Sequence, residues 1–181
     1  MDTILLSDIL KGTPGVSPVE GSNLYENCVV ALHHCCHPES VVLMLKGLQD
    51  SHYLLLWDDV FTDQLRRTYN DMQSVTERAA VCLSVMLVTK LTPYTVIERS
   101  RKGTGFDYML GDSQDALFMP KARLEVSGIM QENSVSNTVE SRFRQKAVQT
   151  DRSDDALLPA YVSVVEFSTP KAMFDIKKMK P

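Results

Sequence analysis

The segment that most constrains the fold is residues 92–127, which contains three short stretches that alternate apolar with polar residues. The stretches cover residues 94–101, 103–111 and 122–128, and glycine or proline bounds each of them. This alternation is typical of β-strands with one buried face, and the short spacing indicates strands that follow one another in the sheet. The sequence therefore predicts an antiparallel meander as the centre of the fold.

Two acidic residues, Asp107 and Glu125, lie on the second and third predicted strands. Side chains two residues apart share a face of a strand, so Arg123, Glu125 and Ser127 are predicted to line one face. If Asp107 points to that face, the two carboxylates are neighbours on paired strands and can hold a divalent cation between them. The alternatives are that Asp107 lies on a solvated face and that Glu125 pairs with a nearby arginine.

The composition is compatible with one compact domain that has no general affinity for anions. The chain has 181 residues, is 44% apolar and carries a formal net charge of −4. This length can bury one sizeable core, and the negative charge leaves any contact with nucleic acid to a local patch. No apolar run approaches the roughly 18 residues of a membrane-spanning helix, and the N-terminus lacks the basic start of a secretory signal. We expect a cytoplasmic protein without membrane contact.

The N-terminal part is predicted as an extended arm followed by strands. Residues 1–24 contain two prolines and three glycines and show no sustained period, which indicates an arm that packs on the body or on a partner. Residues 25–38, 41–45 and 53–57 are predicted strands that extend the sheet. The histidines and cysteines at residues 33–37 are zinc-binding residue types, but adjacent strand residues point to opposite faces, so we expect structural residues rather than a metal site.

Helices are predicted on both sides of the meander in the chain. Residues 61–70 form a short helix, and Ser74-Val-Thr-Glu77 has the pattern of a capping box that opens a buried helix ending near residue 91. Residues 135–150 form the next helix. Its apolar stripe is Val135, Val139, Phe143 and Ala147, and its polar stripe is Arg142, Lys146 and Gln149.

The C-terminal part is predicted as a central strand and a basic tail. Residues 158–167 are apolar and rich in β-forming residues, whereas residues 171–181 are rich in lysine and indicate a solvated segment, with a phosphate contact as the alternative. Together the elements predict an α+β fold with a mixed central sheet flanked by helices. We expect one domain over residues 25–181, with its core at 74–168, after the arm at 1–24.

The order helix-strand-strand-strand-helix-strand, with acidic residues on the second and third strands, resembles the core of the PD-(D/E)XK, or restriction-endonuclease-like, superfamily. The resemblance covers about half of the chain. It implies that Asp107 and Glu125 bind Mg²⁺ and act in catalysis with Lys146, and that Glu77 contributes if it is not simply a helix cap. The side chains expected to contact DNA are Arg123, Arg142, Lys146 and Gln149.

The chain departs from this family at one position. The family places a lysine two residues after the second acidic residue, where this chain has Ser127. Some members carry the positive charge on the following helix, which would make Lys146 the replacement, and Arg123 is the alternative. If neither serves, the core is a scaffold that no longer cuts.

Two functions follow from these observations. The first is a non-catalytic accessory subunit, without a cofactor, that binds a larger ATPase or nuclease partner and could also contact DNA. The second is a Mg²⁺-dependent DNA endonuclease. The acidic balance and the serine at position 127 favour the first, and the family resemblance implies prokaryotic defence against phages or plasmids as the setting.

Two further motifs are ambiguous. The motifs at residues 102–108 and 122–128 also resemble those of small uncharacterised bacterial proteins, and this resemblance implies no activity. The glycines of Lys102-Gly-Thr-Gly105 fit either a phosphate cradle or a hairpin turn, and a lone Gly-x-Gly between strands is more often a turn.

Overall fold

A computed structural model describes residues 1–133 and 136–177 and contains an eight-stranded mixed sheet with flanking helices. The expected α+β fold is confirmed. The strands are β1 (Asp2–Leu5), β2 (Ser40–Gly47), β3 (Ser51–Leu56), β4 (Tyr94–Arg99), β5 (Tyr108–Asp112), β6 (Ala122–Ile129), β7 (Ala160–Glu166) and β8 (Lys171–Ile176). The α-helices are α1 (Pro18–His34), α2 (Asp63–Thr68), α3 (Met72–Leu91) and α4 (Val139–Gln149), and 3-10 helices cover Leu6–Lys11 and Thr150–Ala156.

The strands lie in the order β1-β3-β2-β8-β7-β6-β5-β4. The predicted meander is confirmed, because β4, β5 and β6 pair antiparallel, with a bulge in β4 between Val96 and Glu98. Strands β6 and β7 pair in parallel, and α4 supplies the crossover that a parallel pair requires. Strand β7 is buried along its whole length, as predicted for a central strand.

The two faces of the sheet carry separate apolar cores. On β7, Val162 and Val164 belong to a small core with Val139 of α4, whereas the next residue, Val165, belongs to the larger core with α1 and α3. The alternation follows from the two-residue period of a strand. Helix α4 and helix α3 therefore cover opposite faces, and the α4 face carries the odd-numbered side chains of β6.

Helix α1 corrects the strand predicted for residues 25–38. Ser17 caps this helix by accepting a hydrogen bond from the backbone N–H of Glu20 (3.2 Å), and Pro18 occupies the first turn, where a missing N–H leaves no partner unsatisfied. A short apolar run does not distinguish a buried strand from a buried helix. The Ser-x-x-Glu pattern just before the run was the signal that identifies the helix start.

The first residues pack on the sheet and differ from the predicted extended arm. Strand β1 pairs in parallel with β3, and Leu6 and Ile9 are buried in the larger core. Gly15 donates its backbone N–H to the carbonyl oxygen of Val96 on β4 (2.9 Å). The segment therefore supplies one edge strand of the sheet and contacts β4 at the opposite edge.

Helix α3 confirms the predicted buried helix but begins before the proposed capping box. Asp71 caps it by accepting hydrogen bonds from the backbone N–H groups of Gln73 and Ser74. Glu77 is therefore inside the helix and is not its cap residue. A Cβ atom at Gly128 on β6 would lie 2.4 Å from the carbonyl oxygen of Thr76, so only glycine allows α3 to approach β6 this closely.

The C-terminal segment is not the solvated tail that its lysines predicted. Residues 171–176 form β8, which lies between β7 and β2, and Lys177 is buried and forms an ion pair with Asp154 (2.7 Å). Residues 178–181 of the predicted tail and Val135 of the predicted apolar stripe lie outside the described residues. No helix in residues 1–133 or 136–177 combines the length and the apolar character needed to cross a membrane.

Candidate functional site

The carboxyl groups of Asp107 and Glu125 adjoin at one end of the paired strands β5 and β6. Asp107 lies just before β5, and its backbone N–H donates to the carbonyl oxygen of Leu124 (2.8 Å). Its carboxylate accepts a hydrogen bond from the backbone N–H of Val126 (2.8 Å), directly beside Glu125. The antiparallel register thus brings together two acidic residues that are separated by a long connection in the sequence.

Glu125 is bound through one oxygen and unpaired at the other. Its Oε1 accepts hydrogen bonds from Lys146 Nζ (2.7 Å) and Gln149 Nε2 (2.9 Å), both on the predicted polar stripe of α4. Its Oε2 is buried and accepts no hydrogen bond from an N–H or hydroxyl group in the described part of the chain, although the adjoining carboxyl groups of Glu125 and Asp107 can share a proton. The residue as a whole is only 1% exposed. Lys146, rather than one of the arginines considered from the sequence, is therefore its ionic partner.

The two carboxyl groups are difficult to ionise together. Burial raises the pKa of Glu125, and the negative charge of Asp107 raises it further, to about 7, although Lys146 opposes both effects. Burial also raises the pKa of Asp107, against the hydrogen bond from Val126 and the charge of Lys146. Two adjacent buried carboxylates repel each other, and a cation bound between them would remove that repulsion.

An opening of about 330 Å³, here called the cleft, lies beside this pair. Its side chains come from α3, β5, β6 and α4, and Arg99 borders it from β4. The residues that matter for its chemistry are Glu77, Arg78, Asp107, Ser127, Arg142 and Lys146. Three of them were predicted site residues, Asp107 beside β5 and both Arg142 and Lys146 on α4, and Glu77 joins them from α3.

Three of the four basic side chains that line the cleft, those of Arg78, Arg142 and Lys146, are held by partners within the chain. Arg78 donates to Glu20 (2.8 Å), and Lys146 is bound to Glu125 as described. Arg142 donates to Asn137 (2.6 Å) and to the Ser127 hydroxyl (3.3 Å). Ser127, at the position where the resemblance predicts a lysine, thus accepts a hydrogen bond from the Arg142 cation.

Arg123 does not take the role proposed from the sequence. It shares a face of β6 with Glu125, as predicted, but it is only 3% exposed. Its guanidinium donates to the carbonyl oxygens of Leu158 and Thr150 and to the Asp154 carboxylate. A buried arginine with these partners stabilises the chain after α4 and cannot contact a nucleic-acid strand.

A second opening contains basic residues that sequence analysis did not single out as a group. It has a volume of about 510 Å³ and is here called the loop pocket. Its charged lining residues are Arg99, Arg101, Lys102, Asp107, Glu125 and Arg152. The cluster Arg99-Ser-Arg-Lys102 was the available signal, but Arg152 is distant in sequence and joins it only through the fold.

The histidine and cysteine cluster at residues 33–37 lies at the end of α1. The His33 ring stacks on Phe61, and His37 Nε2 contacts the carbonyl oxygen of Phe167 (2.8 Å). Within residues 1–133 and 136–177, no three His, Cys, Asp or Glu side chains are arranged to hold a metal ion.

The pair of carboxyl groups can bind a hard cation that needs few protein ligands. Mg²⁺ fits this description, because it usually keeps several water molecules and binds one or two carboxylates together with substrate phosphate oxygens. The site meets that requirement, because it has two adjacent carboxyl groups, those of Asp107 and Glu125, and the Oε2 atom of Glu125 accepts no hydrogen bond from an N–H or hydroxyl group in the described residues. Comparisons of this chain with protein-family models, curated proteins and solved structures found no significant match.

Proposed function

We propose that this chain is a metal-dependent nuclease that cleaves DNA internally, with Asp107 and Glu125 as its metal ligands. The observation that supports the proposal is the buried, unpaired Oε2 of Glu125 beside a second carboxylate and a cleft with basic walls. An unsatisfied carboxylate oxygen costs stability, and such groups occur preferentially at functional sites. This geometry favours the endonuclease over the accessory subunit that the sequence alone favoured.

A bound Mg²⁺ would supply neutralisation of the phosphate charge and a lower pKa for an attacking water. The chain's own residues orient and hold the reactants. Asp107 is fixed by the Val126 N–H, and Glu125 is fixed by two donors on α4, so neither carboxylate needs to reorganise. Preorganised ligands of this kind keep the reacting groups in position without an entropic cost during the reaction.

Lys146 supplies the positive charge that Ser127 cannot. Its Nζ donates to Glu125 Oε1 (2.7 Å) and to Gln149 Oε1 (3.1 Å), which fixes the ammonium group at the wall of the cleft. A lysine ammonium has three N–H donors, so one is left over from these two acceptors and can donate to a water or a phosphate oxygen. Lys146 on α4 thereby compensates for the absence of a lysine at position 127.

We expect the wild-type chain to bind one Mn²⁺ or Mg²⁺ and Asp107→Ala to lose this binding. Removing one of two carboxylates eliminates half of the protein ligands of the site. Isothermal titration calorimetry at millimolar metal, at a pH above 7 where Glu125 is ionised, measures the effect. Glu98→Gln, which alters an exposed carboxylate outside the cleft, is the matched control. Absence of a binding heat for the wild type would remove the nuclease proposal.

An accessory subunit is the second candidate, and one surface favours it. Leu117, Phe118 and Met119 are consecutive in the β5–β6 connection and are 80%, 43% and 51% exposed. Contiguous exposed apolar residues are typical of protein interaction sites. The family resemblance suggests a prokaryotic defence complex as the setting, with a larger ATPase or nuclease as the partner.

For this candidate, we expect Leu117→Glu and Phe118→Glu to separate the chain from a stoichiometric partner with which it co-purifies from its native cells. A charge placed in an apolar contact must be desolvated without compensation, which weakens binding. Size-exclusion chromatography of the purified material measures the change, and Val19→Glu, at another exposed apolar position, is the control. A wild-type chain that elutes as a monodisperse monomer would count against an accessory role.

A further inference from the structure

We propose that the loop pocket binds a phosphate of the substrate strand that neighbours the phosphate to be cleaved. The pocket shares Arg99 and Asp107 with the cleft, and Glu125 is also among its lining residues. The two openings are therefore adjacent, with the carboxyl pair between them. The inference rests on the proposed function, because a strand that reaches the carboxyl pair is what brings a second phosphate to the pocket.

The charge balance of the loop pocket supports an external anion. Its lining contains four basic side chains, on Arg99, Arg101, Lys102 and Arg152, and two acidic ones. In the described part of the chain, none of the four basic side chains forms an ion pair or a side-chain hydrogen bond. The cations of the cleft other than the shared Arg99, in contrast, are already paired within the chain.

These four cations lie together in a chain whose net charge is −4. Like charges that line one opening repel each other, and a bound phosphate would remove the repulsion. Arginine and lysine are also the side chains that contact phosphate groups most often in nucleic-acid complexes. The pocket thus has the chemistry of a phosphate site before any strand is present.

The loop that forms the pocket is held in one conformation. The Ser100 N–H donates to the carbonyl oxygen of Asp107 (2.7 Å), which closes the loop at its base. The Thr104 hydroxyl lies 3.0 Å from the carbonyl oxygen of Arg101 and 3.1 Å from that of Phe106, which fixes the tip. A loop that is already ordered loses little conformational entropy when it binds a ligand.

Gly105 allows this loop to pack closely against the end of α4. Its φ is +87°, in the region that favours glycine, and a Cβ atom there would lie 2.7 Å from the carbonyl oxygen of Gln149. The close approach brings the loop cations beside Arg152, which follows α4. The two interpretations of the glycine motif at residues 103–105 are therefore compatible, because the turn between two strands also forms one wall of the pocket.

The test is the affinity of the full-length chain for a short fluorescent single-stranded oligodeoxynucleotide in EDTA, measured by anisotropy at several salt concentrations. For Arg101→Ala/Arg152→Ala we expect a loss of affinity of about 10-fold at moderate salt. The slope of log K against log salt should also fall by about 0.7 for each lost phosphate contact. Lys121→Ala/Arg144→Ala removes the same charge from exposed positions outside both openings and should change neither quantity strongly.

The possible outcomes separate this inference from the proposed function. Equal affinity of the wild type and Arg101→Ala/Arg152→Ala for the oligonucleotide overturns the inference. Binding of inorganic phosphate without binding of the oligonucleotide overturns it as well. Because the assay contains no metal, pocket-dependent binding supports the inference even if the wild type fails to cut, a failure that would overturn only the proposed function. Unfolding curves of each variant that match the wild type establish that the fold is intact.

Discussion

Asp107→Asn and Glu125→Gln are each expected to lower the rate of Mg²⁺-dependent DNA cleavage by at least about 1000-fold while DNA binding persists. Both amides keep the shape of the side chain but remove the charge that would hold the metal. Metal stabilisation of the transition state is worth several kcal/mol, and each 1.36 kcal/mol is a factor of 10 in rate. Single-turnover cleavage of a labelled duplex and of a single strand, in Mg²⁺ and in Mn²⁺, measures the effect.

Lys146→Met extends the same series and should give an intermediate loss, because the metal ligands remain and only the neighbouring positive charge disappears. The Glu98→Gln variant should cleave at the wild-type rate, since this exposed carboxylate lies outside both openings. Undiminished cleavage by Asp107→Asn would contradict the assignment of the metal site. Equal rates for Lys146→Met and the wild type would contradict only the role given to the lysine.

The parts of the fold that could be predicted are those with a strong local period. Alternation over residues 94–128 predicts three strands and the common face of Arg123, Glu125 and Ser127, but it leaves open the face of Asp107 and does not reveal the bulge in β4. The proximity of Asp107 and Glu125 follows from the register of β5 and β6, and it was predictable for the case that the two share a face. The polar stripe of α4 was also predictable, and two of its members bind Glu125.

The parts that could not be predicted depend on contacts between distant segments. The burial of Arg123 is decided by acceptors at residues 150–158, which no pattern around the arginine reveals. The loop pocket likewise requires that the loop at residues 100–106 lies against Arg152 at the end of α4. Helix α1 was mistaken for a strand because an apolar run without polar alternation fits both structures, and only its N-terminal cap distinguishes them.

The free energy of unfolding of Glu125→Gln, relative to the wild type, is expected to rise by about 3 kcal/mol as the pH increases from 4.5 to 7. The pKa of Glu125 is about 7 in the folded chain and 4.5 in the unfolded reference, so between these values the folded state binds more protons than the unfolded state. The free energy of unfolding of the wild type therefore falls as the pH rises through this window. Each unit of difference between the folded and unfolded pKa values contributes about 1.36 kcal/mol to the fall. Glutamine does not titrate, and its variant lacks this decrease.

Chemical denaturation of both proteins at several pH values between 4 and 8 measures the difference. Because Asp107 adjoins Glu125, its titration changes with the substitution as well, and the slope of the difference reports the titration of the carboxyl pair. A difference that stays constant or reverses sign for Glu125→Gln would mean that Glu125 is ionised without cost, and the argument that this buried carboxylate is kept for a cation would lose its physical basis.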